Sequence, residues 1–180
     1  MPQLHPNATI RRAAPADVDA IATMHLASWL AAYRGLISDE YLDRVTHESR
    51  VARWERTFTP EEAGVTETTL AVEGDNILGL CSFGPMVNPL ATTIGEIYSL
   101  HIDPDIWRGG IGRMLLDDAL LRLANRGFER VVLWVLRDNE NARRFYEARG
   151  WSVTGEERDE DRSGYSIPET RFWIGLPPSG

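Results

Sequence analysis

The chain has 180 residues, 43% hydrophobic and 26% charged, a composition that predicts one compact folded domain and excludes a wholly disordered chain. All 19 basic residues are Arg, against 27 acidic residues, and the net charge of −8 disfavours a nucleic-acid-binding protein. A lone cysteine, Cys81, excludes an internal disulfide, and with neither a signal-peptide pattern nor a membrane-spanning apolar run we expect a cytoplasmic protein without a membrane partner.

The first half of the chain predicts a short strand, two helices and a hairpin. Apolar residues at three- and four-residue spacings indicate the helices, and two apolar segments around Gly74-Asp75-Asn76 indicate the hairpin. In chain order, we expect a strand at residues 9–12, helices at about 15–35 and 39–57, and hairpin strands at 69–73 and 77–83. Loops are expected at 59–67 and 84–92, where proline and glycine interrupt the pattern.

The second half alternates strands with helices. A strand at 94–102 ends at Asp103-Pro104, an amphipathic helix follows and ends at Gly127, and a continuous apolar strand fills 131–136. The remaining elements are expected to be a helix at 140–149 and strands at 151–157 and 170–176. A strand–helix–strand unit with so short a connection is right-handed and has parallel strands.

These elements together predict an α/β fold of the α+β type. We expect one domain with a core at residues 9–176 and tails at 1–8 and 177–180. Its sheet should be mixed and mostly antiparallel, flanked by helices, with the strand–helix–strand unit at its centre.

Three glycines within four positions occupy the turn before the amphipathic helix, in Trp107-Arg108-Gly109-Gly110-Ile111-Gly112-Arg113. Glycine removes side chains where a ligand approaches the backbone, and a helix N-terminus presents unpaired N–H groups that favour an anion. The turn therefore predicts a pyrophosphate cradle, with a turn that only joins strand to helix as the alternative. It is not a P-loop, because Gly-Lys-Ser/Thr is absent, and it fits the dinucleotide-binding glycine pattern poorly.

Asn139 and Tyr146 lie seven residues apart in a predicted helix and therefore fall on one face, with the small Ala142 between them. A polar–small–polar stripe beside a buried strand indicates a face turned toward a ligand. The alternative is a helix cap at Asn139 and a tyrosine packed at the edge of the core. For Asn139 both interpretations can hold together.

Taken in order, these segments resemble the GNAT superfamily of N-acetyltransferases. The strand ending in Asp-Pro, the glycine-rich turn, the amphipathic helix, the apolar strand and Asn-x-x-Ala-x-x-Phe-Tyr-x-x-x-Gly-aromatic follow one another over residues 94–151 with that family's spacing. The resemblance implies an enzyme that transfers the acetyl group of acetyl-CoA to a primary amine by direct attack in a ternary complex, without a metal. A non-catalytic acyl-CoA-binding or sensing module on the same fold is the alternative function. A homodimer is a further implication.

The resemblance also implies a site, residue by residue. The family's pyrophosphate loop, Gln/Arg-x-x-Gly-x-Gly/Ala, falls on residues 107–112, with Trp107 in place of the usual Gln or Arg, so that Arg108 or Arg113 would supply the charge. Tyr146 falls on the usual general acid. Cofactor contacts are implied for the strand edge, the turn and the next helix start, at Leu100, His101, Ile102, Arg108, Gly109, Gly110, Ile111, Gly112, Arg113 and Asn139.

An acceptor amine also needs a group that takes its proton. In histone-type members of the superfamily a catalytic glutamate lies on the strand before the cradle, and the resemblance places Glu96 there; the alternative is a solvated carboxylate at a strand end. Ribosomal-protein members have Leu-Glu-Val on the following strand, which here is Leu133-Trp134-Val135, so that base is missing. His101 and His25 are weaker candidates, because strand alternation places His101 on the face opposite Glu96, Tyr98 and Leu100.

Aromatic residues predict the acceptor side of the site. Trp29 and Tyr33 of the first helix, with Trp54 and the loop at 85–92, are expected to form the acceptor pocket, although core packing alone fits Trp54 better. A small polyamine-like or amino-acid-like amine and a protein N-terminus or Lys are both open as acceptors. A nucleotide- or flavin-binding protein is disfavoured, because no acidic residue follows the next strand to hold a ribose.

Overall fold

The computed structural model describes residues 5–62, 64–88, 91–162 and 165–177. Within these residues seven strands form one sheet: β1 (Thr9–Arg12), β2 (Glu67–Glu73), β3 (Asn76–Pro85), β4 (Ile94–Ile102), β5 (Arg130–Leu136), β6 (Ser152–Arg162) and β7 (Tyr165–Gly175). Their order is β1-β2-β3-β4-β5-β7-β6. Every neighbouring pair is antiparallel except β4 and β5, which are parallel, so the expected mixed sheet is confirmed.

Helices lie on both faces of this sheet. They are α1 (Val18–Tyr33), α2 (Asp39–Leu42), α3 (His47–Thr57), α4 (Ile111–Asn125) and α5 (Glu140–Glu147). α1 packs on β3 and β4 and carries α3, whereas α4 packs on β2, β3 and β4 from the other face. α4 also connects the parallel strands β4 and β5, which is the expected strand–helix–strand unit.

The single helix expected at 39–57 is wrong, because the chain turns between Leu42 and His47. Each of the two helices has its own N-cap. The Ser38 hydroxyl accepts a hydrogen bond from the Tyr41 N–H at 3.3 Å, and the Thr46 hydroxyl accepts one from the Ser49 N–H at 3.2 Å. A side-chain oxygen that satisfies a first-turn N–H favours a helix start at that point, and apolar spacing alone does not register it.

The last hairpin is longer than the expected strands at 151–157 and 170–176. β6 and β7 continue through a run of charged residues that resembles a loop in composition. Cross-strand ion pairs hold this part together: Arg158 Nη2 lies 2.7 Å from Glu169 Oε2, and Arg171 Nη1 lies 2.6 Å from Glu156 Oε2. Opposite charges on facing strands offset the low strand propensity of acidic residues.

The sheet separates two hydrophobic clusters. The larger one lies under α4 and α5 and includes Phe83, Ile97, Leu115, Leu133 and Phe172. The smaller one lies under α1 and α3 and consists of Ile21, Ala22, Met24, Trp54, Leu70, Val72 and Leu80. Each fully buried Leu, Ile or Phe contributes about 1.5–3 kcal/mol relative to exposure, so these clusters fix which face each strand residue occupies.

A bulge at Tyr98 changes the side-chain alternation along β4. Ser82 pairs with Ser99 and Phe83 pairs with Ile97, so Tyr98 has no partner of its own on β3. Ile97 and Leu100 consequently both pack in the cluster under α4, although they are three residues apart. His101 lies instead on the α1 face, with its ring centroid 4.2 Å from that of His25.

Two expectations about β4 are therefore wrong. A Cβ at Gly95 would lie 3.0 Å from Leu123 of α4, so Gly95 and Ile97 face α4 and Glu96 between them faces α1. His101 shares the α1 face with Glu96, and Leu100 lies on the other face. The extra residue of the bulge reverses the alternation after Ile97, which a strict period of two does not allow for.

Candidate active site

The parallel strands β4 and β5 separate part-way along their length. Their register runs from Ile94 opposite Arg130 to Ile97 opposite Leu133 and then stops. Residues 98–102 and 134–136 continue as strands, but they no longer pair with each other. Each pairs on its outer side, with β3 and β7 respectively, so both sides of the opening are held by antiparallel ladders.

A cavity of about 740 Å³ passes through this opening and reaches α1 at one end and the glycine-rich turn at the other. Most of the expected site residues line it: Trp29, Tyr33, Leu100, His101, Ile102, Arg108, Gly110, Ile111, Gly112, Arg113, Asn139 and Tyr146. Gly109 and Glu96 are not among its lining residues. One cavity therefore brings together segments that are separated by more than a hundred residues in sequence.

The glycine-rich turn delivers backbone donors to one end of the cavity. Gly110 is the N-cap of α4 with a φ of 91°, a conformation that favours glycine, and a Cβ there would meet no atom within 4 Å. The first intrahelical bond is from the Met114 N–H to the Gly110 carbonyl at 3.0 Å. The N–H groups of Ile111, Gly112 and Arg113 are thus the donors that a helix start presents to an anion.

Trp107 anchors the turn to the sheet. Its Nε1–H donates to the Ile102 carbonyl at 2.9 Å, although the residue as a whole is exposed. Next to it, Arg108 has a φ of 68°, which is uncommon for a residue with a side chain. The indole therefore holds the cradle against the end of β4, where the family's pattern has Gln or Arg.

Asn139 begins α5 and lines the cavity as well. Its Oδ1 accepts the Ala142 N–H at 3.1 Å, which is an N-cap bond. The expected helix cap is confirmed. The amide of Asn139 is thereby held at the cavity wall, and a contact with the cofactor stays a prediction.

Tyr146 lies on the α5 side of the opening, with only 8% of its surface exposed. Its ring packs edge-on against Phe145 and Trp151, with centroids 5.1 and 5.6 Å away. Burial raises the pKa of its phenol above the ordinary value, and the nearby Cys81 and Tyr33 act in the same direction. The hydroxyl therefore stays protonated at neutral pH and can donate a hydrogen bond.

Glu96 lies on the paired part of β4, opposite Gly84 and Val132, just before the opening. Burial raises the pKa of this carboxyl. The hydrogen bond from the backbone of Val87 and the charges of Arg158 and Arg171 oppose the shift, while the charge of Glu169 adds to it. Glu96 therefore lies beside the opening without lining the cavity itself.

Two aromatic rings form a wall that lines the α1 end of the cavity. The rings of Trp29 and Tyr33 lie 4.3 Å apart, and both line it. Trp54 does not: it is buried, and its Nε1–H donates to Nδ1 of His25 at 3.0 Å, so packing is its role, as expected. Of the loop expected at 85–92 to border this end, Pro89 and Leu90 lie outside the described residues.

Sequence reasoning missed several residues that line the cavity. They come from strands and helices that reach it only through long-range pairing, and they include Arg53, Trp134, Arg149 and Glu169. Glu169 is buried and pairs with Arg158, whose guanidinium lies 4.2 Å from the ring centroid of Trp134. Side-chain alternation along β7 predicts the face of Glu169, because Phe172 lies in the core and a residue three positions away lies on the opposite face. The sequence predicts a strand that begins only at residue 170, so Glu169 falls outside it.

The chain belongs to the acetyltransferase (GNAT) family, whose sequence model matches residues 28–151. It is therefore an acyltransferase of the N-acetyltransferase class. Within the described residues, no helix is long and apolar enough to cross a lipid bilayer.

Several relatives share this family. The N-acetyltransferase YuaI of Bacillus subtilis is 28% identical over 140 residues, 78% of each chain. A protein of Mycobacterium tuberculosis named as an N-acetyltransferase is 27% identical over 178 residues, 96% of this chain and 97% of that one. The mycothiol acetyltransferase of Geodermatophilus obscurus is 39% identical over 87 residues, but these are only 46% of this chain and 28% of the relative.

Solved structures of the same fold include two with a cofactor bound. The PaiA N-acetyltransferase of Thermoplasma acidophilum, in complex with coenzyme A, superposes with a TM-score of 0.67 at 21% identity over 90% of this chain and 97% of that one. YncA of Salmonella typhimurium, with acetyl-CoA, gives a TM-score of 0.71 at 22% identity over 97% and 96%. At this identity the likeness establishes the fold.

Proposed function

We propose that this protein transfers the acetyl group of acetyl-CoA to a primary amine, of a small molecule or a peptide, by direct attack in a ternary complex. The observation that carries the proposal is the single cavity that joins the glycine-rich turn, the opening between β4 and β5, and the aromatic wall of α1. The pyrophosphate would lie at the start of α4 and the thioester in the opening. The amine would enter from the α1 side, so both substrates fit at once.

The residues present fit acetyl-CoA as a substrate. Backbone N–H groups at the start of α4 offer neutral donors to a pyrophosphate, and the empty space beside Gly110 leaves room for it. Unpaired backbone groups of β4 beyond Ile97 are available to the amide-rich pantetheine arm. Structural relatives that hold coenzyme A and acetyl-CoA support the same assignment.

The chemistry moves two protons. The acceptor ammonium gives one to Glu96 through a water, and the freed amine nitrogen attacks the thioester carbonyl carbon. A backbone N–H of β4 in the opening donates to the oxyanion. The C–S bond then breaks, the sulfur takes the proton of Tyr146, and the second proton of the nitrogen passes to the Tyr146 phenolate, which restores the phenol. The products are the acetylated amine and free CoA. A protonated phenol and a carboxyl whose pKa is raised are suited to these two roles.

Binding of CoA should raise the melting temperature, and Gly110→Val should abolish the rise, because a branched side chain in this conformation blocks approach to the backbone. A ligand at one hundred times its Kd stabilises a protein by about 2.7 kcal/mol. Gly127→Val is the matched control, since Gly127 has a similar φ of 86°, an equally open Cβ position and a place beyond the other end of α4. Both variants should lose stability without ligand, and only Gly127→Val should keep the shift. A normal shift in Gly110→Val would contradict the cradle assignment.

Tyr146→Phe should lower kcat about 10²–10⁴-fold while acetyl-CoA affinity changes little, because the hydroxyl acts on the leaving sulfur only in the transition state. Thiol release over a panel of primary amines, with calorimetric titration of acetyl-CoA, measures both quantities. Unchanged turnover, with chemistry shown to limit the rate, would reassign Tyr146 to packing. Binding of acetyl-CoA without thiol release from any amine would favour a sensing module over an enzyme.

Glu96→Gln should keep acetyl-CoA affinity and lower kcat/KM most between the pKa of Glu96 and that of the acceptor amine, where Glu96 is ionised and the acceptor still arrives as ammonium. The raised pKa places loss of the proton from Glu96 above the ordinary carboxyl range, so wild-type kcat/KM should rise with pH through that point. The variant should lack this rise and recover partly at high pH, where solvent removes the proton. An equal loss at every pH, matched by weaker acceptor binding, would make Glu96 a binding residue only.

A further inference from the structure

Arg149 lies two residues beyond the end of α5 and lines the cavity close to the glycine-rich turn. Its guanidinium carbon lies 3.8 Å from the ring centroid of Phe145, and its Nη1 donates to the Phe145 carbonyl at 2.9 Å. The same Phe145 ring borders the glycine-rich turn, since a Cβ on Gly112 would lie 3.4 Å from it. A stack of Gly112, Phe145 and Arg149 therefore sets the guanidinium beside the first turn of α4.

Arg149 forms no ion pair of its own within the described residues, and Asp117, whose charge raises the pKa of Arg149, is paired with Arg113. Two other arginines of this end each face a carboxylate one helical turn away: Arg113 Nε lies 3.3 Å from Asp117, and Arg144 Nη2 lies 2.6 Å from Glu140. Arg149 has no carboxylate within 4.0 Å among the described residues, and its buried Nε has no hydrogen-bond partner there. Burial lowers the pKa of Arg149, and Arg113 acts in the same direction, while Asp117 and Tyr146 oppose the shift. The net lowering is typical of a cation removed from water without full compensation.

We infer that Arg149 binds the pyrophosphate of the CoA moiety, together with the backbone N–H groups at the start of α4. This inference rests on the proposed function. The backbone N–H groups donate oriented hydrogen bonds but carry no net charge, whereas Arg149 supplies a positive charge. A guanidinium stacked on a ring keeps a fixed orientation and makes strong bonds to phosphate oxygens. A bound anion would compensate a cation that has no ion pair of its own among the described residues.

Trp107 stands where the family's pattern has Gln or Arg, and Arg149 would supply the side-chain contact that such a residue makes. The indole of Trp107 is committed to the Ile102 carbonyl, and Arg113 is committed to Asp117. Arg108 is exposed, so water already solvates its charge. Arg149 is partly buried and held in a fixed position, and it has no ion pair of its own in the part of the chain that the structure describes. Its position next to the start of α4 favours the pyrophosphate over the cofactor's 3′-phosphate.

The test is calorimetric titration of CoA and of 3′-dephospho-CoA into four proteins: wild type, Arg149→Met, Arg149→Lys and Arg143→Met. The Met variant keeps an apolar side chain over Phe145, the Lys variant keeps the charge, and Arg143 lies on α5 outside this cavity. Arg149→Met should weaken both ligands about 10- to 100-fold, the factor of a charge-assisted hydrogen bond. Arg149→Lys should lose less, and Arg143→Met should bind normally.

The outcomes separate the inference from its alternatives. Normal affinity in Arg149→Met would overturn it, and a loss confined to CoA would move Arg149 to the 3′-phosphate, which also overturns it. Equal losses in the Met and Lys variants, with a lowered melting temperature of the free protein, would make Arg149 a packing residue. If wild type bound neither compound, the proposed function itself would fail, and this inference with it.

Discussion

The site depends on one structural constraint: β4 and β5 pair as far as Ile97 and Leu133 and then separate. Parallel strands normally continue their ladder, because an unpaired backbone N–H or C=O in the interior costs free energy. Here each strand is fixed on its outer side by an antiparallel neighbour, and the bulge at Tyr98 bends β4 at the place where the pairing ends. The antiparallel neighbours thus hold both strands in the sheet, while polar backbone groups that face the opening in its centre are left without a strand partner.

The two ends of the resulting cavity differ in chemistry. The end at α4 and α5 presents backbone N–H groups and arginines, which suit an anion. The end at α1 presents the rings of Trp29 and Tyr33, with Glu169 and Glu96 on the same face of the sheet. In the proposed function, this polarity would orient an acyl-CoA with its charged part away from the acceptor, and it would bring a cationic amine toward carboxylates. The acidic surface of the protein as a whole favours the same class of acceptor.

The features that the sequence predicts correctly are those that depend on residues close together along the chain. The glycine-rich turn and the Asn139 cap are set by residues within a few positions of each other, and strand β4 was found with its observed bounds. The split between α2 and α3 was missed because the cap at Thr46 competes with apolar spacing that continues through it. Arg149 and Glu169 were missed because their place in the site follows from packing against α4 and pairing with β5, which no local pattern records. The predicted face of His101 was wrong because one bulge residue shifts the side-chain alternation along β4.

The central claim is that CoA occupies the opening between β4 and β5, and amide hydrogen exchange measured by NMR tests it most directly. With saturating CoA, exchange should slow at those amides of residues 98–102 that point away from β3 into the opening, and at the first turn of α4, residues 111–113. The amides of residues 94–97, where β4 lies between β3 and β5 and pairs with both, should change little. Protection confined to other surfaces such as the β6–β7 hairpin, with residues 98–102 unaffected, would contradict the account.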